Sequence, residues 1–223
     1  MRRREFLSIP AVALGGTLLY TLRKEPFIVH AQAQDGIVNV PLKFFSAEEA
    51  KTVAAATARI FPSDASGPGA NEAGVAIYID RQLAGPYGRD KYRYTKGPWV
   101  QSVPEHGYQA KETPREIYKA GIPTLSDNFA SLTPAQQDEK LQSMESTTFF
   151  RLLRTHTIEG MFCDPMHGGN AGMIGWQLIG FPGPRMSYRD EIEQYRSEAF
   201  RPKPISLAQL VGHPVKGWEE EAE

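Results

Sequence analysis

Ser46–Pro62 reads SAEEAKTVAAATARIFP, and its ends are written in the sequence. Ser46-Ala-Glu-Glu49 is a capping box: the serine hydroxyl and the Glu49 carboxylate each satisfy a backbone N–H that the first turn of a helix leaves unpaired. Val53, Ala54, Thr57, Ile60 and Phe61 then fall on one face at the helical period, and Pro62 stops the run. The start signal recurs downstream. Thr113-Pro-Arg-Glu116 and Thr133-Pro-Ala-Gln136 are boxes of the same kind, with proline at the first helical position, where its missing N–H is harmless.

Between and beyond these boxes the same period continues. A second helix is expected from Asn71 to Leu83, with Val75, Tyr78, Ile79 and Leu83 on one side and Gly85-Pro86 as its end. The third carries Ile117, Tyr118, Leu125 and Phe129, and Pro123 is expected to kink or split it. The fifth, roughly Thr147–Met161 with FFRLLRTHTIEGMF, is the most core-like segment. A charged helix follows near Tyr188–Phe200, then a proline-rich tail. Residues 86–112 have little periodicity and read as an ordered loop held by Tyr87, Tyr92, Tyr94 and Trp99. No strand alternation persists and no repeat is visible. The fold class is all-α: a single compact helical domain with long ordered loops, residues 34–223, behind an N-terminal segment of different character.

That segment is residues 1–33. Arg2, Arg3 and Arg4 open it, Phe6 and Leu7 follow the Arg3-Arg4 pair after one residue, and a mild apolar stretch runs from Ser8 to Leu22. Arg3-Arg4-x-Phe6-Leu7 resembles a twin-arginine (Tat) export signal, which carries folded proteins across a bacterial inner membrane. AQAQ at Ala31–Gln34 offers a cleavage site after Ala33. The reading places the chain in the periplasm and makes the Tat translocon a partner. A first amphipathic helix or a retained anchor is the other reading. Cleavage removes Arg2, Arg3, Arg4, Arg23 and Lys24 against Glu5 and Glu25, leaving a mildly acidic chain.

Composition narrows the chemistry. The 223 residues suffice for one domain with a core, and the net charge of -1 gives no basic footprint for nucleic acid. A single cysteine allows no internal disulfide. No G-x-G-x-x-G strand–helix unit, P-loop, G-x-S-x-G, H-E-x-x-H or C-x-x-C-H occurs, so no dinucleotide, nucleotide, hydrolase, zincin or haem-attachment fingerprint is present.

The densest chemistry is Cys163–Trp176, CDPMHGGNAGMIGW. One reading is a metal site using Cys163, Asp164 and His167, with His156 two turns upstream, in a free-standing periplasmic enzyme. A Cys163–His167 nucleophilic pair is another. The reading the residues favour is a shaped turn. Asp164-Pro165 suits a helix exit, Gly168-Gly169-Asn170 supplies positive-φ conformations, and Asn170 caps a short following helix. Gly172 and Gly175 permit close backbone approach, and Trp176 adds a large ring. His156 reads as a satisfied core histidine.

Two segments, RIFPSDASGPGANEAGVAIYIDRQLAG (Arg59–Gly85) and GMFCDPMHGGNAGMIGWQLIGFPG (Gly160–Gly183), resemble the signature segments of the gluconate 2-dehydrogenase subunit 3 family. The resemblance covers most of residues 43–210. It implies the small, gamma-type subunit of a membrane-associated, heterotrimeric FAD-dependent sugar or sugar-acid dehydrogenase. FAD and substrate belong to a glucose-methanol-choline-type flavoprotein partner. Haem c belongs to a multihaem cytochrome subunit. The small subunit holds no cofactor of its own, performs no catalysis, and aids folding, cofactor loading and export of the flavoprotein. On this expectation the docking residues are Tyr87, Tyr92 and Trp99 in the irregular loop and Gly168, Gly169, Asn170, Trp176 and Phe181 in the glycine-rich segment.

Overall fold

Every capping box opens a helix in the computed structural model of the chain. The structure describes residues 41–93, 97, 99, 103–106, 111–185, 187, 189, 192–195 and 202–212. The export signal at Arg3, Arg4, Phe6 and Leu7, the cleavage site, Tyr94 and most of the charged stretch 188–200 lie outside these residues.

The helices are α1 (Ala47–Ile60), α2 (Val75–Ala84), α3 (Pro114–Leu125), α4 (Pro134–Ser143), α5 (Thr148–Phe162), α6 (Ile174–Ile179), α7 (Ile192–Tyr195) and α8 (Leu207–Leu210). Ser46, Thr113 and Thr133 each form the reciprocal box with Glu49, Glu116 and Gln136. A fourth box, Ser206 with Gln209, opens α8. Among the described residues there is no strand, only an isolated bridge between Asp64 and Gly67. The protein is all-α.

Two boundaries differ from the sequence reading. The second helix begins at Val75, because Gly74 takes a left-handed conformation (φ 70°) and Asn71–Gly74 is consumed by a turn. α3 runs through Pro123 without being split. Pro123 is exposed and lies in the last turn, so the missing donor orphans one carbonyl near a helix end that already has free carbonyls.

α5 is the hub and packs on α1, α2 and α3. Val53, Val75, Ile79, Leu83, Leu125, Phe129, Leu153 and Met161 are fully or almost fully buried. Each buried aliphatic or aromatic side chain stabilises the fold by about 1.5–3 kcal/mol before entropy is counted.

Two polar devices tie α2 into this core, one from its middle and one at its C-terminal end. Asp80, fully buried, accepts the backbone N–H groups of Lys43, Phe44 and Phe45 at 2.8–2.9 Å. The carboxylate thereby fixes the chain where it enters α1. At the C-terminal end of α2, Arg115 donates through Nε to the Leu83 carbonyl and through Nη2 to that of Ala84. A guanidinium at a helix C-terminus satisfies open carbonyls and complements the negative end of the helix dipole. Together with Gly85 it sets the direction of the chain into Tyr87.

Candidate functional site

The glycine-rich segment is a knot tied to the C-terminal end of α5. Asp164 caps the turn Pro165–His167: its Oδ1 accepts the Met166 N–H at 3.0 Å. Its Oδ2 accepts the N–H of Leu207, the first residue of α8, at 2.6 Å. Asn170 is the centre of the knot and is fully buried. Its N–H donates to the Gly160 carbonyl at 2.8 Å and its Nδ2 to the Cys163 carbonyl at 2.9 Å. Its Oδ1 accepts the Gly175 N–H at 2.8 Å. Ala171 then donates to the Ala73 carbonyl, joining the knot to the turn that precedes α2.

Asn170 therefore differs from a simple cap. It stands before the turn Ala171–Met173 at φ 48° and makes no cap bond to it. It reaches five residues on, to one of the orphan N–H groups in the first turn of α6. Met173 is also left-handed, at φ 58°. Gly168 (φ 106°) supplies a positive φ as expected, but Gly169 does not. Glycine is required at Gly169 because a Cβ there would strike the Gly160 carbonyl oxygen, and at Gly175 because one would strike that of Met161. At Gly172, by contrast, a Cβ would meet only Ile174 Cγ2, at an ordinary 3.8 Å, and the glycine serves through its φ of 63°.

Trp176 is buried (4% exposed) and donates Nε1–H to the Phe162 carbonyl at 2.7 Å. Its ring takes the edge of Phe181 at 5.1 Å between centroids. Trp176 thus props Phe181, which is the exposed member of the pair. The indole needed an acceptor for its N–H, and the free carbonyl at the end of α5 provides one.

Cys163, Asp164 and His167 do not converge. Burial pushes the Cys163 thiol up to about 12, so it is a neutral thiol at ordinary pH, with its sulfur 3.8 Å from the Gly160 carbonyl oxygen. Both Asp164 oxygens accept backbone N–H groups, and His167 is exposed. Among the described residues no group of three or more His, Cys, Asp or Glu side chains is arranged to hold a metal ion.

A second polar cluster lies one helix face away. His156 is buried, with Nδ1 2.9 Å from the Tyr118 hydroxyl and Nε2 2.8 Å from that of Tyr87. The imidazole stacks on Tyr118 and meets Tyr87 and Tyr78 edge-on. Tyr78 donates to Glu159 at 3.0 Å. Burial depresses His156 to about 4 and, with the nearby Glu159 charge, raises Tyr87 to about 12 and Tyr78 and Tyr118 also upward. The cluster is neutral apart from Glu159. It fastens the irregular loop to the core, since Tyr87 is partly exposed yet turns its hydroxyl inward. Tyr92 is 81% exposed, with Lys91 Nζ 5.6 Å from its ring centroid, and Trp99 is 40% exposed.

Sequence reasoning missed Asp80, Arg115 and the return of residues 202–212 onto the knot. Asp80 had a signal: a carboxylate in the otherwise apolar face of VAIYIDRQLA. The other two depend on long-range contacts that no local pattern reports.

The fold is a small helical one, with its glycine-rich loop tied to the end of α5 through Asn170. The gluconate 2-dehydrogenase subunit 3 family description matches residues 47–183, more than half of the chain. The chain belongs to that family. Comparison with curated proteins and with solved structures gives no match.

Proposed function

We propose that this chain is the non-catalytic small subunit of a FAD-dependent sugar or sugar-acid dehydrogenase, and that it assists folding, cofactor loading and Tat export of the flavoprotein. The carrying observation is membership of a family defined as one subunit of a dehydrogenase. The site is consistent with that role. In the segment richest in reactive residue types, the polar groups of Asp164 and Asn170 are committed to internal hydrogen bonds and the thiol is held neutral. Such a segment shapes a surface.

The Arg3-Arg4 signal supplies the export half of the proposal. A Tat route suits cargo that must be folded around a cofactor before crossing. The cofactor-bearing cargo is the flavoprotein of glucose-methanol-choline type, with a multihaem cytochrome c subunit receiving its electrons. Arg3→Lys/Arg4→Lys in the native host tests this. Both this chain and the flavin-bearing subunit are expected in the cytoplasmic fraction. Normal periplasmic accumulation of this chain would remove the Tat assignment, and of the flavoprotein alone would remove the escort role.

A further inference from the structure

We infer that the Nε/Nη2 edge of Arg81, in the last turn of α2, is a binding fork for a carboxylate. The inference goes beyond the subunit reading and does not rest on it. Both atoms are buried, and among the described residues neither has a hydrogen-bond partner. The ion pair that Arg81 does make there is with Asp80, whose Oδ2 lies 3.3 Å from Nη1. The Arg81 side chain as a whole is 12% exposed, so the bare edge lies just beneath the surface. Buried polar atoms in folded proteins are nearly always paired, and two adjacent bare donors on one ion mark a place where an acceptor belongs.

The bare edge is the one that grips two oxygens at once. Arg59 uses the same two atoms on Asp138, Nε to Oδ1 and Nη2 to Oδ2, both at 2.7 Å. Arg115 uses them on a pair of carbonyls, Leu83 and Ala84. No such pair is left for Arg81 at its own helix end. The last four carbonyls of α2 are all engaged, Arg81 and Gln82 by the Gly85 N–H and Leu83 and Ala84 by Arg115. Asp80 is engaged too: its Oδ1 accepts from Phe44 and Phe45 and its Oδ2 from Lys43, all at 2.8–2.9 Å. A full-strength guanidinium–carboxylate bond is about 2.7–2.9 Å long, so at 3.3 Å Asp80 serves the backbone better than it serves Arg81. Burial accordingly lowers the Arg81 pKa by more than Asp80 raises it. A planar anion with two oxygens matches both the fork and the incompletely compensated charge behind it.

The carboxylate has two possible sources, a separate molecule or this chain itself. Lys43 is bonded to Asp80, and Asp35 is the first acid upstream of it. The probe is sodium formate, the smallest carboxylate that spans the fork, against sodium chloride at equal ionic strength. The full chain is labelled with nitrogen-15, and the Arg81 Nε–H resonance is followed together with the thermal midpoint. Four forms are compared: wild type, Arg81→Lys, Asp35→Asn and Arg59→Lys. Lysine keeps the charge but cannot fork. For a separate carboxylate, formate shifts the wild-type Arg81 resonance saturably and raises the midpoint. Arg81→Lys then weakens binding tenfold or more, while Asp35→Asn and Arg59→Lys stay within twofold of wild type. For the chain's own carboxylate, wild type ignores formate, whereas Asp35→Asn moves the Arg81 resonance and gains formate binding. An Arg81 resonance that responds neither to formate nor to Asp35→Asn overturns the fork and leaves water as its partner. Formate affinity undiminished in Arg81→Lys, or reduced equally in Arg59→Lys, overturns it as an adventitious ion only. The resonance in wild type and Asp35→Asn decides the matter even where Arg81→Lys does not fold.

Discussion

The hydroxyl of Tyr87 lies 2.8 Å from Nε2 of His156 and ties a half-exposed loop residue to the buried centre of α5. The bond makes the loop's position depend on a group that titrates. His156 is faced by Tyr118 from α3, Tyr78 from α2 and Tyr87 from the loop, with Glu159 one turn along its own helix.

Burial holds His156 near 4, below its unfolded value near 6.5. Above pH 6.5 both states are neutral and the residue has no effect on the pH dependence. Between pH 6.5 and 4 the unfolded chain takes up a proton that the folded chain refuses, so stability falls as pH falls. The loss at pH 4.5 is about 2–3 kcal/mol relative to pH 7. Urea unfolding at the two pH values measures it, and His156→Gln removes that share of the difference.

Gly169 and Gly180 separate two reasons for glycine. A side chain at Gly169 meets the Gly160 carbonyl, whereas Gly180 has open space and only a positive φ of 68°. Gly169→Val is expected to lose about 3 kcal/mol or more through forced displacement of the knot, and Gly180→Ala about 1 kcal/mol. Thermal melts of the two variants test the ordering.

Asp80→Ala leaves three buried or half-buried N–H groups without their acceptor. A loss of about 3 kcal/mol is expected. Hydrogen exchange distinguishes this from general destabilisation, because the amides of Lys43, Phe44 and Phe45 should lose protection before those of α5.

Cys163, raised to about 12, should react slowly with a disulfide reagent at pH 8, far more slowly than a free thiol with its ordinary pKa. Cys163→Ser and His167→Gln should leave turnover of the assembled dehydrogenase within a few-fold of normal. Fast labelling together with loss of several decades of turnover in Cys163→Ser would make the segment a reaction centre.

Much of this architecture was legible locally. The boxes at Ser46, Thr113 and Thr133 announce helices because capping is a short-range hydrogen-bond pattern, and all three form. His156 read correctly as a satisfied core histidine, although its tyrosine partners 38 and 69 residues away did not show. The knot was legible as a turn but not in its wiring. Glycine at 169 looks the same in sequence whether it serves φ or clearance, and Trp176 looks the same whether it is an exposed anchor or a buried prop. Those distinctions are set by α5 carbonyls brought alongside by the fold.

The most direct measurement is deletion of this chain in its native host, followed by fractionation and flavin assay of the large subunit. The account predicts a flavoprotein retained in the cytoplasm and poor in FAD. A flavoprotein that reached the periplasm in full amount, fully loaded and fully active, would contradict it.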